Sequence, residues 1–339
     1  MKHNNGAKRA SIGIDIGGTK SLYALFDSDF EVLAEEKLQT HPDKGGTKAF
    51  TRTLGATVRK LMAEAEKRGL KVKHVGVGCA GDIDLKRGII RTSPNLSFLE
   101  RYPLRDKLER LTKAKVFVGH DVQAALYGEL KLGAARKARH VIGVWVGTGV
   151  GGALVLDRKL HMGVSGQAGD IGNYLLHAVD VSQELPRKET LDNVASRTAI
   201  AGDAAALAAS HRAPRLQKIA GTDVRDIKAS VLADSISHGD KAVAKLVNSR
   251  AGVVGAALSN LVDFLNPDMI VLGGGLVEAM PVVIRRQIEK AIAAHCAPKA
   301  AKAVKVRIAK LISHAGTVGA ACLAIDMFSQ DPPIRLDKL

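Results

Sequence analysis

Ile12-Gly13-Ile14-Asp15-Ile16-Gly17-Gly18-Thr19-Lys20, running on into Ser21-Leu22-Tyr23-Ala24-Leu25-Phe26, reads as a strand, a glycine-rich reversal and a second strand. A later stretch repeats the device: Val141 to Val146, then Gly147-Thr148-Gly149-Val150-Gly151-Gly152, then Ala153-Leu154-Val155-Leu156. Glycine lets the backbone turn with positive φ and lets bare N–H groups approach an anion with no Cβ in the way. Two facing hairpins of this kind can grip the phosphates of a nucleotide, which points to phosphoryl transfer.

Outward from these hairpins the chain follows one plan twice. Strand-like runs at 11–16, 21–26 and 30–37 predict an antiparallel meander, followed by a helix over 47–69. Val75-Gly76-Val77-Gly78-Cys79-Ala80 reads as an apolar strand and the stretch from Gly81 to Pro103 as a loop. Val116-Phe117-Val118 then leads into His120-Asp121 and an Ala-rich helix over 122–133. In the second half, strands are expected at 140–147 and 151–157, then a helical region over 190–265. The strand Met269-Ile270-Val271-Leu272 closes on Gly273-Gly274-Gly275, and a helix over 278–297, a strand at 304–309 and a helix over 316–328 follow. A meander followed by alternating strand and helix, done twice, implies an α/β protein of two lobes around a cleft. The expected division is a small N-terminal lobe, 1–118, with a C-terminal helix at 316–332 packing back on it, and a larger lobe, 119–315.

Composition fits this reading. With 339 residues the chain can form two domains with full cores, and 46% hydrophobic residues make it globular throughout. Only 4% are aromatic, so the cores must be built from Val, Ile, Leu and Ala. Cys79, Cys296 and Cys322 form no CxC or CxxC pair, which argues for a reducing compartment and against a cysteine-framed metal site. The polar start, Met1 to Ala10, has no signal-peptide core, and no window is apolar for long enough to cross a bilayer. A cytoplasmic protein with no membrane partner is expected. The formal charge of +16 is spread along the chain, with mild concentrations at Lys131 to Arg139 and Lys299 to Lys310. Without aromatic platforms or a helix-turn-helix, it reads as solvated surface charge or as attraction of a polyanionic substrate, not as nucleic-acid binding.

Four segments carry candidate chemistry. Asp15 at a strand end can hold Mg²⁺ through water, because that ion prefers oxygen and keeps most of its hydration shell. Gly17, Gly18 and Thr19 offer N–H and hydroxyl donors and Lys20 a cation; the plain alternative is a tight hairpin. Gly147-Thr148-Gly149-Val150-Gly151-Gly152 matches GxGxxG, but the dinucleotide fingerprint needs a helix next and a strand follows here. A phosphate-contacting hairpin or a structural turn remains. Asp121, where a strand gives way to a helix, suits either the base that accepts a hydroxyl proton or a helix cap. Gly273 to Gly275 permit close approach of a ring or sugar, or simply a helix entry.

Taken together, and over residues 11–328, these segments resemble the ROK family (repressors, open reading frames, kinases) of the sugar kinase/actin ATPase superfamily, with its RNase H-like lobes. Asp15 to Lys20 resemble its first phosphate motif, Gly147 to Gly152 its second, and Asn260 through Gly275 its adenosine motif. Pro94-Asn95-Leu96 and Ala315-Gly316-Thr317-Val318-Gly319-Ala320-Ala321 are similar to its linkers. The resemblance implies a glucokinase-like enzyme that passes the γ-phosphate of ATP, with Mg²⁺, to a hexose hydroxyl, usually O6. It assigns the base to Asp121, the phosphates to Asp15, Gly17, Gly18, Thr19, Lys20, Gly147, Thr148 and Gly149, and adenosine to Gly273, Gly274 and Gly275.

The implied sugar site comprises Asn95, His120, Asp121, Asp170, Asn173 and Asp192, and departs from the family pattern. The family's Asn-Asp pair is His120-Asp121, and its Gly-Glu-Ile-Gly-His is Gly169-Asp170-Ile171-Gly172-Asn173. The stretch Val179 to Thr190, where the family carries its zinc-binding cysteines, has none, and the family's Glu is Asp192. Losing the His and every Cys together implies a loop organised without zinc. The shortened acids imply a wider or wetter pocket that takes an amino, acetamido or otherwise modified sugar instead of glucose. A homodimer is the oligomer the resemblance implies. Two alternatives stay open: a non-catalytic sugar-binding regulator, disfavoured because about ten residues before the first strand cannot hold a DNA-binding module, and a hexokinase using inorganic polyphosphate.

Overall fold

Three strands built from alternating and continuous apolar residues begin the chain: β1 (Lys8–Ile16), β2 (Lys20–Phe26) and β3 (Val32–Gln39) form the antiparallel meander. The computed structural model describes residues 8–40, 45–176, 189–329 and residue 332. The chain divides into two units, the first comprising residues 1–137, 159–168 and 313–339 and the second 138–158 and 169–312. The expected boundary at 118/119 falls inside the first unit.

In the first unit, α1 (Gly46–Lys67) is followed by β4 (Leu70–Cys79), a small hairpin of β5 (Asp82–Asp84) and β6 (Ile89–Thr92), α2 (Leu104–Thr112), β7 (Lys115–His120) and α3 (Asp121–Lys131). The sheet order is β3-β2-β1-β4-β7, with β4 parallel to β1 and β7 parallel to β4. Ile12, Ile14, Val75, Val77, Val116 and Val118 are all buried. Such near-continuous apolar strands belong to a sheet covered on both faces. The stretch expected as a loop from Gly81 to Pro103 also holds 3₁₀ structure over Pro94–Leu99, broken by a kink at Leu96.

The second unit pairs β8 (Val141–Val146) with β9 (Val150–Leu156), and the chain runs on into β10 (Lys159–His161), which falls in the 159–168 segment of the first unit. The helical stretch expected over 190–265 resolves into α4 (Leu191–Ala195), α5 (Arg197–Ala209), α6 (Pro214–Ala220), α7 (Ala229–Ser237) and α8 (Lys241–Leu265). Then come β11 (Met269–Gly273), α9 (Gly275–Ala279), α10 (Pro281–His295), α11 (Pro298–Ala303) and β12 (Lys305–Ile308). The helix expected over 278–297 is thus two, because Pro281 has no N–H to continue a helix and begins a new one. The order β10-β9-β8-β11-β12, with β11 parallel to β8 and β12 parallel to β11, repeats that of the first sheet strand for strand. Ile142, Val144, Ile270 and Leu272 of this sheet pack with Ile200, Leu258, Ile284 and Ile288 of the helices.

The last helix, α12 (Ala315–Met327), returns to the first unit and packs on β1, β4, β7 and α3. It lies so close to the sheet that a Cβ on Gly13 would stand 1.9 Å from the Thr317 carbonyl oxygen, and one on Gly76 1.8 Å from that of Ala320. No helix among the described residues is long and apolar enough to cross a membrane.

Candidate functional site

Strand register brings the acids of the first unit to one end of its sheet. Asp15 of β1 lies opposite Gly78 of β4, and Gly78 opposite Gly119 of β7, one turn of chain before Asp121. These are the carboxyl ends of three adjacent parallel strands, where ligands of open α/β sheets bind. Gly78 leaves the space between the acids clear, since a Cβ there would be 3.1 Å from the Asp121 Cα. Asp15 is half-buried, and its carboxyl is pushed up to about 7, first by loss of solvent and then by the negative charge of Asp121. Burial and the same two acids push the Cys79 thiol up as well. The amino end of α12 closes over Asp15, whose Oδ2 would be 2.5 Å from a Cβ on Gly316. That contact accounts for the small residues at Ala315-Gly316.

Asp121 is the first residue of α3, and its Oδ1 accepts the Val122 N–H at 2.8 Å. The two readings of this acid therefore coexist: one oxygen serves the helix start, which also favours a negative charge. His120 precedes it as the half-buried N-cap residue. Beside them, the reversal from Gly17 to Lys20 is closed by the Gly17 N–H on the Lys20 carbonyl at 3.1 Å. Asn95 abuts this turn, its Cβ 2.8 Å from where a Cβ on Gly18 would be. Thr40, which sequence reasoning did not single out, braces the turn from inside. Its hydroxyl donates to the Gly17 carbonyl at 2.8 Å and its N–H to the Thr19 carbonyl at 2.9 Å, and Ser21 Oγ lies 2.8 Å from the same hydroxyl.

The remaining predicted residues gather in the second unit around the β8–β9 turn. The Gly147 N–H donates to the Gly149 carbonyl at 2.8 Å. The Arg197 N–H takes the Gly147 carbonyl at 2.9 Å, and the Thr198 hydroxyl takes the Thr148 carbonyl at 2.8 Å. Asp192 of α4 turns its carboxylate onto the same turn: Oδ1 accepts the Val150 N–H at 2.6 Å. On the other side of Val150 stands the 3₁₀ turn Ile171–Asn173, where a Cβ on Gly172 would be 2.1 Å from the Val150 carbonyl oxygen. There the Asn173 amide donates to Asp170 Oδ2 at 2.7 Å. Asp170, Asn173 and Asp192 thus flank one stretch of backbone.

Gly273 ends β11 opposite Trp145 of β8, and a Cβ on it would be 2.5 Å from the indole nitrogen. Gly274 adopts φ +90° as the α9 N-cap and Gly275 opens that helix. Asn260 donates to the Tyr174 hydroxyl at 2.7 Å. Trp145 was legible only once register was known, and Thr40 and Thr198 carry no sequence signal beyond a lone hydroxyl. Among the described residues no three His, Cys, Asp or Glu side chains cluster to hold a metal ion. The three cysteines are free and buried, in β4, just past α10 and in α12. Residues 179–188 of the cysteine-free Val179 to Thr190 stretch lie outside the described residues.

The sequence profile of the ROK family matches residues 11–327. A glucokinase of Halalkalibacterium halodurans is 29% identical over 92% of this chain and 94% of its own. Among solved structures, a ROK family glucokinase from Streptomyces griseus in complex with glucose and AMPPNP is 28% identical, with a TM-score of 0.78 over 93% of this chain and 99% of that one. A ROK hexokinase from Thermus thermophilus is also 28% identical, with a TM-score of 0.72 over 93% and 98%. The fold is that of the actin-like ATPase sugar kinases, as the twice-repeated sheet order requires. With both glycine turns, the paired acids and the last helix inside a match that runs almost end to end, the chain belongs to the ROK family.

Proposed function

We propose that the protein is an ATP-dependent hexose kinase, transferring the γ-phosphate to the 6-hydroxyl of glucose or of a modified hexose. The observation that carries this reading is the pair Asp15 and Asp121 at adjoining strand ends, with Gly78 clearing the space between them. Asp121 takes the proton of the attacking hydroxyl as the new O–P bond forms. The bond from the γ-phosphorus to the bridging oxygen breaks, and its electron pair leaves with ADP. A base of this kind contributes about 10²–10⁴-fold, and the rest is alignment and charge stabilisation.

The Gly17–Lys20 and Gly147–Gly149 turns hold phosphates, and Gly273 to Gly275 with Trp145 frame the adenosine. The binding of glucose and AMPPNP by the Streptomyces griseus relative supports both ligand classes. Asp15 suits Mg²⁺ better than a softer metal, being a half-buried oxygen donor with no cluster of three His, Cys, Asp or Glu around it among the described residues. Asp15 would hold the ion through water, and the ion would supply positive charge to offset that of the phosphates. Asn95, His120, Asp170, Asn173 and Asp192 contact the sugar, and the loop that holds zinc elsewhere in the family works here without it. Asp192 has one oxygen on the β8–β9 turn and offers the other to a hydroxyl. Its short side chain and that of Asp170 leave room for an amino or acetamido substituent.

ADP release measured against a panel of hexoses, amino sugars and N-acetyl sugars, with Mg–ATP and then with polyphosphate, tests the proposal. Sugar-dependent ADP formation is expected. Sugar binding without turnover from either donor would make the protein a regulator instead.

A further inference from the structure

We infer that Thr40 and Thr198 are positioning residues that aim the backbone donors of the two glycine turns at the phosphates, an inference that rests on the kinase reading. Thr40 is only 2% exposed, and its single hydroxyl hydrogen is committed to the Gly17 carbonyl at 2.8 Å. Ser21 Oγ must therefore donate to Thr40, making a relay of two hydroxyls that ends on that carbonyl. The Gly17 carbonyl and the Gly18 N–H belong to one planar trans peptide and point in opposite directions. Tying the oxygen to a buried hydroxyl turns the Gly18 N–H away from Thr40. The Gly18 and Thr19 N–H groups make no hydrogen bond among the described residues, so both remain to be used by an anion.

The second turn is built the same way from unrelated sequence. Thr198 Oγ1 holds the Thr148 carbonyl at 2.8 Å and so directs the Gly149 N–H. The Arg197 N–H holds the Gly147 carbonyl at 2.9 Å and directs the Thr148 N–H. Again neither directed N–H has a partner among the described residues. A free glycine turn can flip its peptides; these two are pinned at the carbonyl, leaving the N–H side preset for negative charge.

Thr40→Val and Thr198→Val remove the hydroxyls at nearly constant volume, while Thr40→Ser and Thr198→Ser keep them. Nucleotide dissociation constants, sugar dissociation constants and kcat/KM for ATP are measured with melting temperatures. Each Val variant is expected to lose roughly tenfold in kcat/KM for ATP, about one hydrogen bond's worth. Sugar affinity should stay within twofold and each Ser variant within about threefold of wild type. Val variants that bind and use nucleotide as wild type does overturn the inference and leave the kinase reading intact. So do variants of either type that lose sugar and nucleotide affinity in parallel with melting temperature. A wild-type protein that neither binds nucleotide nor transfers phosphate overturns the kinase reading itself. Should Thr40→Val fail to fold, the exposed Thr198 pair decides the question alone.

Discussion

On the proposed reading, Asp15 and Asp121 take different parts in one site through their environments. Asp121 stands at a helix start, where the Val122 N–H and the helix dipole favour its charge. Asp15 is half-buried, and loss of solvent and the charge of Asp121 push its carboxyl up to about 7. Asp121→Asn is expected to lower kcat by about 10²–10⁴-fold and leave the nucleotide dissociation constant within threefold, measured by calorimetry beside steady-state rates. The raised Asp15 carboxyl makes stability depend on pH. Its folded pKa lies above the unfolded value near 3.8, so the folded state binds the proton more tightly. The stabilisation is full below pH 4 and is lost as pH rises through about 7. Without divalent cation, the wild type should melt progressively lower from pH 5 to pH 8 on this account, with a loss on the order of a few kcal/mol. Asp15→Asn should flatten that slope, and an equal slope in both proteins would contradict the assignment.

At the scale of elements, the small residues of α12 set its place. Ala315-Gly316-Thr317-Val318-Gly319-Ala320-Ala321 is buried throughout, between the sheet and α3. A Cβ on Gly319 would stand 1.7 Å from the Ala124 carbonyl oxygen, backbone that cannot yield. Gly319→Ala should therefore separate α3 from α12 at a cost of about 1–3 kcal/mol or more, read as a lower melting temperature. Because α3 begins with Asp121, activity should fall as well. In the second unit, β8–β11 register sets Trp145 against Gly273, so the indole reports on the segment proposed to frame the adenosine. Its fluorescence should change on adding ATP or ADP. An unchanged spectrum under conditions where calorimetry detects nucleotide would separate that region from the nucleotide. Strands built of Val and Ile, and helices closed by evident breaks, were legible in the chain. The division of the helix at Pro281 and the 3₁₀ turns were not, because both are decided by single backbone positions.

Across the whole molecule, the duplicated sheet order explains why two short motifs could announce the fold. The meander puts a glycine turn after the first strand of each sheet, and the parallel strands that follow carry their loops to the same end. The acids, the turns and the Gly273 segment were legible because chemistry at strand ends is confined to a few residue types. The bracing groups were not: Thr40 lies beyond two strands from Gly17, and Thr198 reaches back to Thr148 from a separate helix. Nor did the sequence show that Asp192 sits against Val150, since a carboxylate suits a sugar hydroxyl and a backbone N–H equally. The central claim is transfer of phosphate to a sugar, and phosphorus NMR of one mixture of protein, Mg–ATP and glucose tests it most directly. The γ resonance of ATP should vanish as a sugar phosphomonoester and ADP appear in equal amounts, with no change in a sample containing Asp121→Asn. ATP left intact across the hexose panel, or converted only to ADP and orthophosphate, would contradict it.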